Sequence, residues 1–96
     1  MNTTEHLLTI LAEESAEVAQ SATKALRFGF DEVEPGKSLN NRERIVQELN
    51  DVFAIAEMLG LCHADRTAID RKKAKILEFM GYAEKCGTLD ASQPQP

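Results

Sequence analysis

Ninety-six residues suffice for one small hydrophobic core, and an enclosed substrate pocket in a bundle of this size calls for a second copy of the chain. Sixteen acidic residues against eleven basic ones, a formal net charge of -5, argue against a surface built to neutralise a nucleic-acid backbone, since that task needs clustered Lys and Arg. No apolar run approaches the roughly 20 residues that span a bilayer, and Met1-Asn2-Thr3-Thr4-Glu5 lacks the basic-then-apolar pattern of an export signal, so the expectation is a soluble, cytoplasmic chain with no membrane partner.

The segment from Thr4 to Phe28 is rich in Ala, Leu and Glu and free of Gly and Pro. Its apolar residues Leu7, Leu11, Val18, Ala22 and Ala25 or Leu26 keep helical spacing, which predicts a first helix. Gly29 is a natural stop, and Phe30 to Leu39 is a polar connection containing the turn signal Pro35-Gly36. A second helix begins at Asn40 or Asn41, where Asn40 with Glu43 resembles a capping box, and runs to Leu59 before Gly60. Ile45, Val46, Leu49, Val52, Phe53, Ile55, Ala56 and Leu59 give it a wide apolar face.

After a break from Leu61 to Asp65, a third helix is predicted from Arg66 or Thr67 to Lys85, with Gly87 as its stop and Ile69, Ile76, Leu77, Met80 and Ala83 as its inner face. The small, polar, proline-containing end from Ala91 to Pro96 is expected to fray, giving a helical domain over 1–88 and a flexible tail over 89–96. With no strand-like alternation, the expected class is all-α, an antiparallel helical bundle. Cys62 and Cys86 have neither CxxC nor zinc-finger spacing and are expected to be two half-buried thiols. Phe28, Phe53, Phe79 and Tyr82 fall at helical spacing and are assigned to the core rather than to base stacking.

Two groups of carboxylates break this pattern. Glu13, Glu14 and Glu17 share one side of the first helix through i,i+4 and i,i+3 steps. On a solvated face such a cluster costs tenths of a kcal/mol and means little. Glu14, however, falls in line with Leu7, Leu11 and Val18, and Glu48 likewise interrupts the stripe of Ile45, Val52, Ile55 and Leu59, with Asp51 one turn on. Two inward-facing acids on separate helices, each costing several kcal/mol to desolvate unpaired, need cations, hydrogen bonds or raised pKa values. Mg²⁺, which takes hard oxygen ligands and keeps several waters, suits carboxylates from two packed helices, with Mn²⁺ as a substitute. A di-iron bundle characteristically uses Glu-x-x-His pairs, and no Glu here has His three residues on; His6 and His63 lie near helix ends.

Glu13-Glu14-x-x-Glu17 followed by Glu48-x-x-Asp51, with Ala-Glu-Glu-Ser-Ala-Glu-Val-Ala-Gln ahead of Lys24-Ala-Leu-Arg27-Phe-Gly, resembles the all-α nucleoside triphosphate pyrophosphohydrolases of the MazG type, most closely the small phage-type members. The likeness covers residues 5 to 85. It implies Mg²⁺-dependent hydrolysis of an NTP or dNTP between the α- and β-phosphates, and a bundle completed as a homodimer or homotetramer. It also implies Glu14, Glu17, Glu48 and Asp51 as metal ligands, with Glu13 as either a further ligand or the water-orienting base and Glu14 as the other catalytic candidate. Phosphate charge left over after a metal cage calls for basic side chains: Lys73, on the inward stripe of Ile69, Ile76, Met80 and Ala83 and flanked by Lys72 and Lys75, or Lys24 and Arg27 at the other end. The bland alternative for each of these is a snorkelling or solvated cation. For the chain as a whole the alternative is a non-catalytic acidic interaction module or a metal-binding protein without turnover.

Overall fold

The computed structural model describes residues 1–61 and 64–93. Among them lie three helices and no β-strand: α1 (Thr3–Phe28), α2 (Asn41–Met58) and α3 (Arg66–Cys86). The chain divides into two compact units, Met1–Cys62 and His63–Pro96, the first holding α1 and α2 and the second α3. The expectations for Cys62, His63 and the last three residues of the tail lie outside the described residues. None of the described helices is long and apolar enough to cross a membrane.

The helix ends follow from local chemistry. Asn2 opens α1 with a capping box: its Oδ1 accepts the Glu5 N–H at 2.8 Å, and the Glu5 carboxylate accepts the Asn2 N–H at 3.2 Å. Asn40 and Glu43 repeat the device at α2, at 2.8 and 3.0 Å. Asp65 caps α3 by accepting the Ala68 N–H at 3.1 Å. Beyond α2 the Gly60 N–H reaches the Glu57 carbonyl and the Leu61 N–H the Ala56 carbonyl, at 3.0 and 2.8 Å. This reversal requires the left-handed φ of 71° that glycine adopts without a Cβ penalty. The same pair of bonds ends α3, from Gly87 to Glu84 and from Thr88 to Ala83.

The twelve-residue connection from α1 to α2 is tightly bonded. Pro35 and Gly36, the latter at φ 85°, form the centre of a turn closed by the Lys37 N–H on the Glu34 carbonyl at 2.9 Å. Asn41, the first residue of α2 and only 3% exposed, donates Nδ2–H to the Gly29 carbonyl at 2.8 Å and to the Glu32 carboxylate at 3.0 Å. Its backbone N–H meets the Glu32 carbonyl, and the Arg42 N–H meets that of Phe30. The Arg42 guanidinium lies 4.4 Å from the centre of the Phe30 ring, and Arg44 pairs with Glu34 at 2.9 Å. Residue 41 thus sits beside 29–32, while the Glu48 carboxylate meets those of Glu14 and Glu17, so the two helices run antiparallel.

The inner stripe of α1 is Leu7, Ile10, Leu11, Glu14, Val18, Ser21, Lys24 and Ala25, and that of α2 is Asn41, Arg44, Ile45, Glu48, Val52, Ile55, Ala56 and Leu59. Both carboxylates singled out from the spacing fall on these stripes. Ala25, and not Leu26, faces inward; Leu26 is 86% exposed. The wide apolar face expected of α2 is divided: Val46, Leu49 and Phe53 are exposed. On α3 only Ala83 of the expected inner face is half-buried, and Ile69, Ile76, Leu77 and Met80 are exposed. The expectation of core aromatics fails likewise for Phe28, Phe53, Phe79 and Tyr82, all exposed, and Cys86 is exposed rather than half-buried. The cause is geometric for α1 and α2: two helices side by side cover each stripe from one direction only. No described apolar side chain is fully buried.

Asn41→Ala should cost about 2 kcal/mol in a urea titration, because it strips two bonds, one to a carboxylate, from a buried position. Asn40→Ala, which removes an exposed cap, should cost about 1 kcal/mol. Equal losses for the two would show that the clamp adds nothing beyond an ordinary cap.

Candidate functional site

Helical spacing places Glu14 and Glu17 one turn apart on α1, and the antiparallel register set by the connection brings Glu48 of α2 across from them. One carboxylate oxygen from each of the three lies within 4.8 Å of the others. Glu14 and Glu48 are half-buried, and Glu17 is exposed. Asp51 and Glu13 are exposed at the edge of the group. Four of the residues picked out from the motif therefore share one electrostatic environment, and Glu13 acts on it from the α1 side.

The environment shows in the carboxyl groups themselves. Partial burial foremost, then the charges of Asp51, Glu17 and Glu13, raises the Glu14 pKa above its ordinary value. Glu48 is raised by partial burial foremost, then by Glu17, Asp51 and Glu14, and by a hydrogen bond with Glu17. Raised carboxyl pKa values and a divalent cation are alternative answers to the same crowding. The donor set fits Mg²⁺ or Mn²⁺, since it consists of hard oxygens and lacks His nitrogen and Cys sulfur among its three converging members.

The basic candidates are distributed differently. Lys24 is half-buried seven residues beyond Glu17, a distance of about 10 Å along α1. Its charge acts on Glu34, whose carboxyl is held below the ordinary value by the Arg44 hydrogen bond foremost and by Lys24 next. Arg27 is exposed, with its guanidinium 5.0 Å from the centre of the Phe28 ring. Lys72 and Lys73 are exposed residues of α3 in the second unit.

Sequence spacing alone did not single out Glu32, Glu34 and Asn41 as a group. A signal was present in Asn40-Asn41, where a single residue suffices as a cap and the second is free for another task. No family model, no curated protein and no solved structure matches this chain.

The raised carboxyls fix the sign of a pH effect. The native form of Glu48 binds its proton more tightly than the unfolded chain, so its ionisation costs stability at neutral pH. That cost is relieved as pH falls through the raised native pKa and is gone below the ordinary value of 4.5. Without metal, Glu48→Gln should raise the thermal midpoint at pH 7 by no more than a few degrees, a half-exposed group being screened by solvent, and should match the parent near pH 4. A destabilised variant at pH 7 would show that the carboxylate is compensated within the protein.

Proposed function

We propose that the chain is a metal-dependent nucleoside triphosphate pyrophosphohydrolase, cleaving an NTP or dNTP to the monophosphate and pyrophosphate. The observation that carries this is the convergence of Glu14, Glu17 and Glu48 from two helices to within 4.8 Å, with two of them half-buried and raised in pKa. A solvated acidic face for docking a basic partner would leave Glu14 and Glu48 exposed and apart. The motif order Glu13-Glu14-x-x-Glu17 and Glu48-x-x-Asp51, which resembles the MazG type, supports the same conclusion.

Glu14, Glu17 and Glu48, with Asp51 beside them, would hold Mg²⁺ in this proposal through carboxylate oxygens. Bound there, Mg²⁺ would supply positive charge to the phosphate oxygens and to the departing pyrophosphate. Water attacks the α-phosphorus, the bond to the α-β bridging oxygen breaks, and pyrophosphate leaves with that electron pair. Glu13, at the exposed edge, orients the water and takes its proton, with Glu14 as the other candidate for that role. Lys24 and Arg27, on the same helix as Glu14 and Glu17, offset the remaining phosphate charge in this proposal.

The assembly in this proposal is a homodimer or homotetramer. The exposed Val46, Leu49 and Phe53 on α2, with no fully buried apolar side chain among the described residues, support it.

Pyrophosphate release from a panel of NTPs and dNTPs should require Mg²⁺ or Mn²⁺ and should fall at least about 100-fold in Glu14→Gln and Glu48→Gln, both with helicity intact. Metal binding without release from any nucleotide would leave a metal-binding protein in place of an enzyme. In sedimentation velocity the chain should run as a dimer or larger, and Phe53→Glu should shift it towards monomer; a parent that stays monomeric at high concentration would overturn the assembly.

A further inference from the structure

The Lys and Arg residues of Met1–Cys62 are Lys24, Arg27, Lys37, Arg42 and Arg44, and all of them fall at the connection end of the helix pair. The rest of that unit carries carboxylates and no Lys or Arg. An acidic unit that gathers its positive charge at one end creates there a local field suited to an anion. Arg27 and Arg42 lie against the rings of Phe28 and Phe30. Lys24, Lys37 and Arg44 instead surround Glu34: the Arg44 hydrogen bond foremost, then the charges of Lys24 and Lys37, hold its carboxyl below the ordinary range. One carboxylate thus answers to three cations.

Beside this group a cleft of about 230 Å³ opens between the connection and α2, lined by Lys37, Ser38, Leu39, Arg44 and Gln47. Sites for drug-sized ligands start at about 300 Å³, so this one suits a small ion or one end of a longer ligand. No carboxylate lines it, and its four polar side chains all donate: an ammonium, a hydroxyl, a guanidinium and a carboxamide. Arg44 gives one nitrogen to Glu34 at 2.9 Å, which holds the planar fork in place and leaves its other N–H groups for a second acceptor. Among the described residues, the side chains of Lys37, Ser38 and Gln47 donate to no partner and Lys37 is in no ion pair. The first backbone N–H groups of α2 are already taken, Asn41 by Glu32, Arg42 by Phe30 and Glu43 by the Asn40 side chain, so the cleft draws on side chains and not on a bare helix end. A tetrahedral phosphate, with several acceptor oxygens and more than one negative charge, satisfies such a set. A neutral or cationic ligand would leave the two cations facing each other.

Arg44, Gln47, Glu48 and Asp51 lie on one side of α2 through steps of three and four residues. The cleft is therefore one turn, about 6 Å along the axis, from the α2 members of the carboxylate group. We propose that this cleft binds a phosphate group, and that it takes the terminal phosphate of a nucleoside triphosphate whose α-phosphate lies at the carboxylates. The first part stands on the cleft alone; the second rests on the pyrophosphohydrolase assignment. A triphosphate chain spans one helical turn and a monophosphate does not, so Lys37, Arg44 and Gln47 favour the triphosphate and let the monophosphate product go.

The test uses the isotope-labelled full chain without metal, titrated with inorganic pyrophosphate and followed by NMR at the Gln47 side-chain amide and the Arg44 guanidinium. Saturable shifts at both are expected, and sodium chloride at equal ionic strength should not reproduce them. Lys37→Gln should weaken binding at least about tenfold, the factor for one hydrogen bond to a charged group, and Gln47→Ala should weaken it in the same direction. Both side chains are exposed, so these variants keep the helix pair folded where Arg44→Gln, which breaks the pair with Glu34, need not. No saturable shift at these groups, a shift that chloride reproduces, or binding that survives both substitutions would overturn the phosphate site. The second arm is pyrophosphate release from a triphosphate with Mg²⁺, where Lys37→Gln should raise KM at least about tenfold and leave inhibition by the monophosphate product unchanged. An unaltered KM with pyrophosphate binding intact would overturn the terminal-phosphate role and assign the cleft to free pyrophosphate. No release from any triphosphate would remove the hydrolase and with it that role, while the first arm still decides the cleft.

Discussion

The helix pair depends on the clamp that Asn41 makes with Gly29 and Glu32. A twelve-residue connection between two helices has many conformations, and a sliding register would carry Glu48 past Glu14 and Glu17. Two side-chain bonds from one residue, a backbone bond to Glu32 and a second backbone bond from Arg42 to Phe30 fix where α2 begins against where α1 ends. Once that is fixed, Glu48 arrives two turns later opposite its partners without further adjustment. A polar residue at the first helical position of a hydrophobic seam is costly unless every donor is matched, and here both amide hydrogens are.

The carboxylate group and the connection oppose one another energetically. Glu14, Glu17 and Glu48 repel, and partial burial of two of them adds to the cost. Helices meeting along one stripe have little apolar burial with which to offset it, since Ser21 and Asn41 are the only buried side chains among the described residues. Capping boxes at Asn2 and Asn40 and the bonded connection supply directional interactions where a core would otherwise act.

Much of this was legible in the sequence. The helix limits followed from Gly29, from Asn40 with Glu43, and from Gly60 and Gly87, because caps are local and depend on a few residues. Glu14 and Glu48 were readable as anomalies, since a charge in register with Leu11 and Val18, or with Ile45 and Val52, stands out against a periodic background. The fate of Val46, Leu49, Phe53 and the α3 face was not readable. Periodicity tells which residues share a side and is silent on how many neighbours cover it. Asn2 with Glu5 was a missed cap with the same signature as Asn40 and Glu43, and Asn41 was hidden because its partners come from a non-repeating loop.

The crowded carboxylates also determine how this helix pair answers to ionic strength. Proteins stabilised by surface ion pairs lose stability when salt is added, because attraction is what the counterions screen. Within this helix pair and its connection the described ion pair is Arg44 with Glu34, against a group of like charges drawn together from two helices. With a screening length of about 8 Å in physiological salt, counterions weaken the repulsion that exposed Glu13, Glu17 and Asp51 exert on the two half-buried carboxylates. The α1–α2 hairpin is therefore built to tolerate salty surroundings, and dilute buffer is the harsher solvent for it.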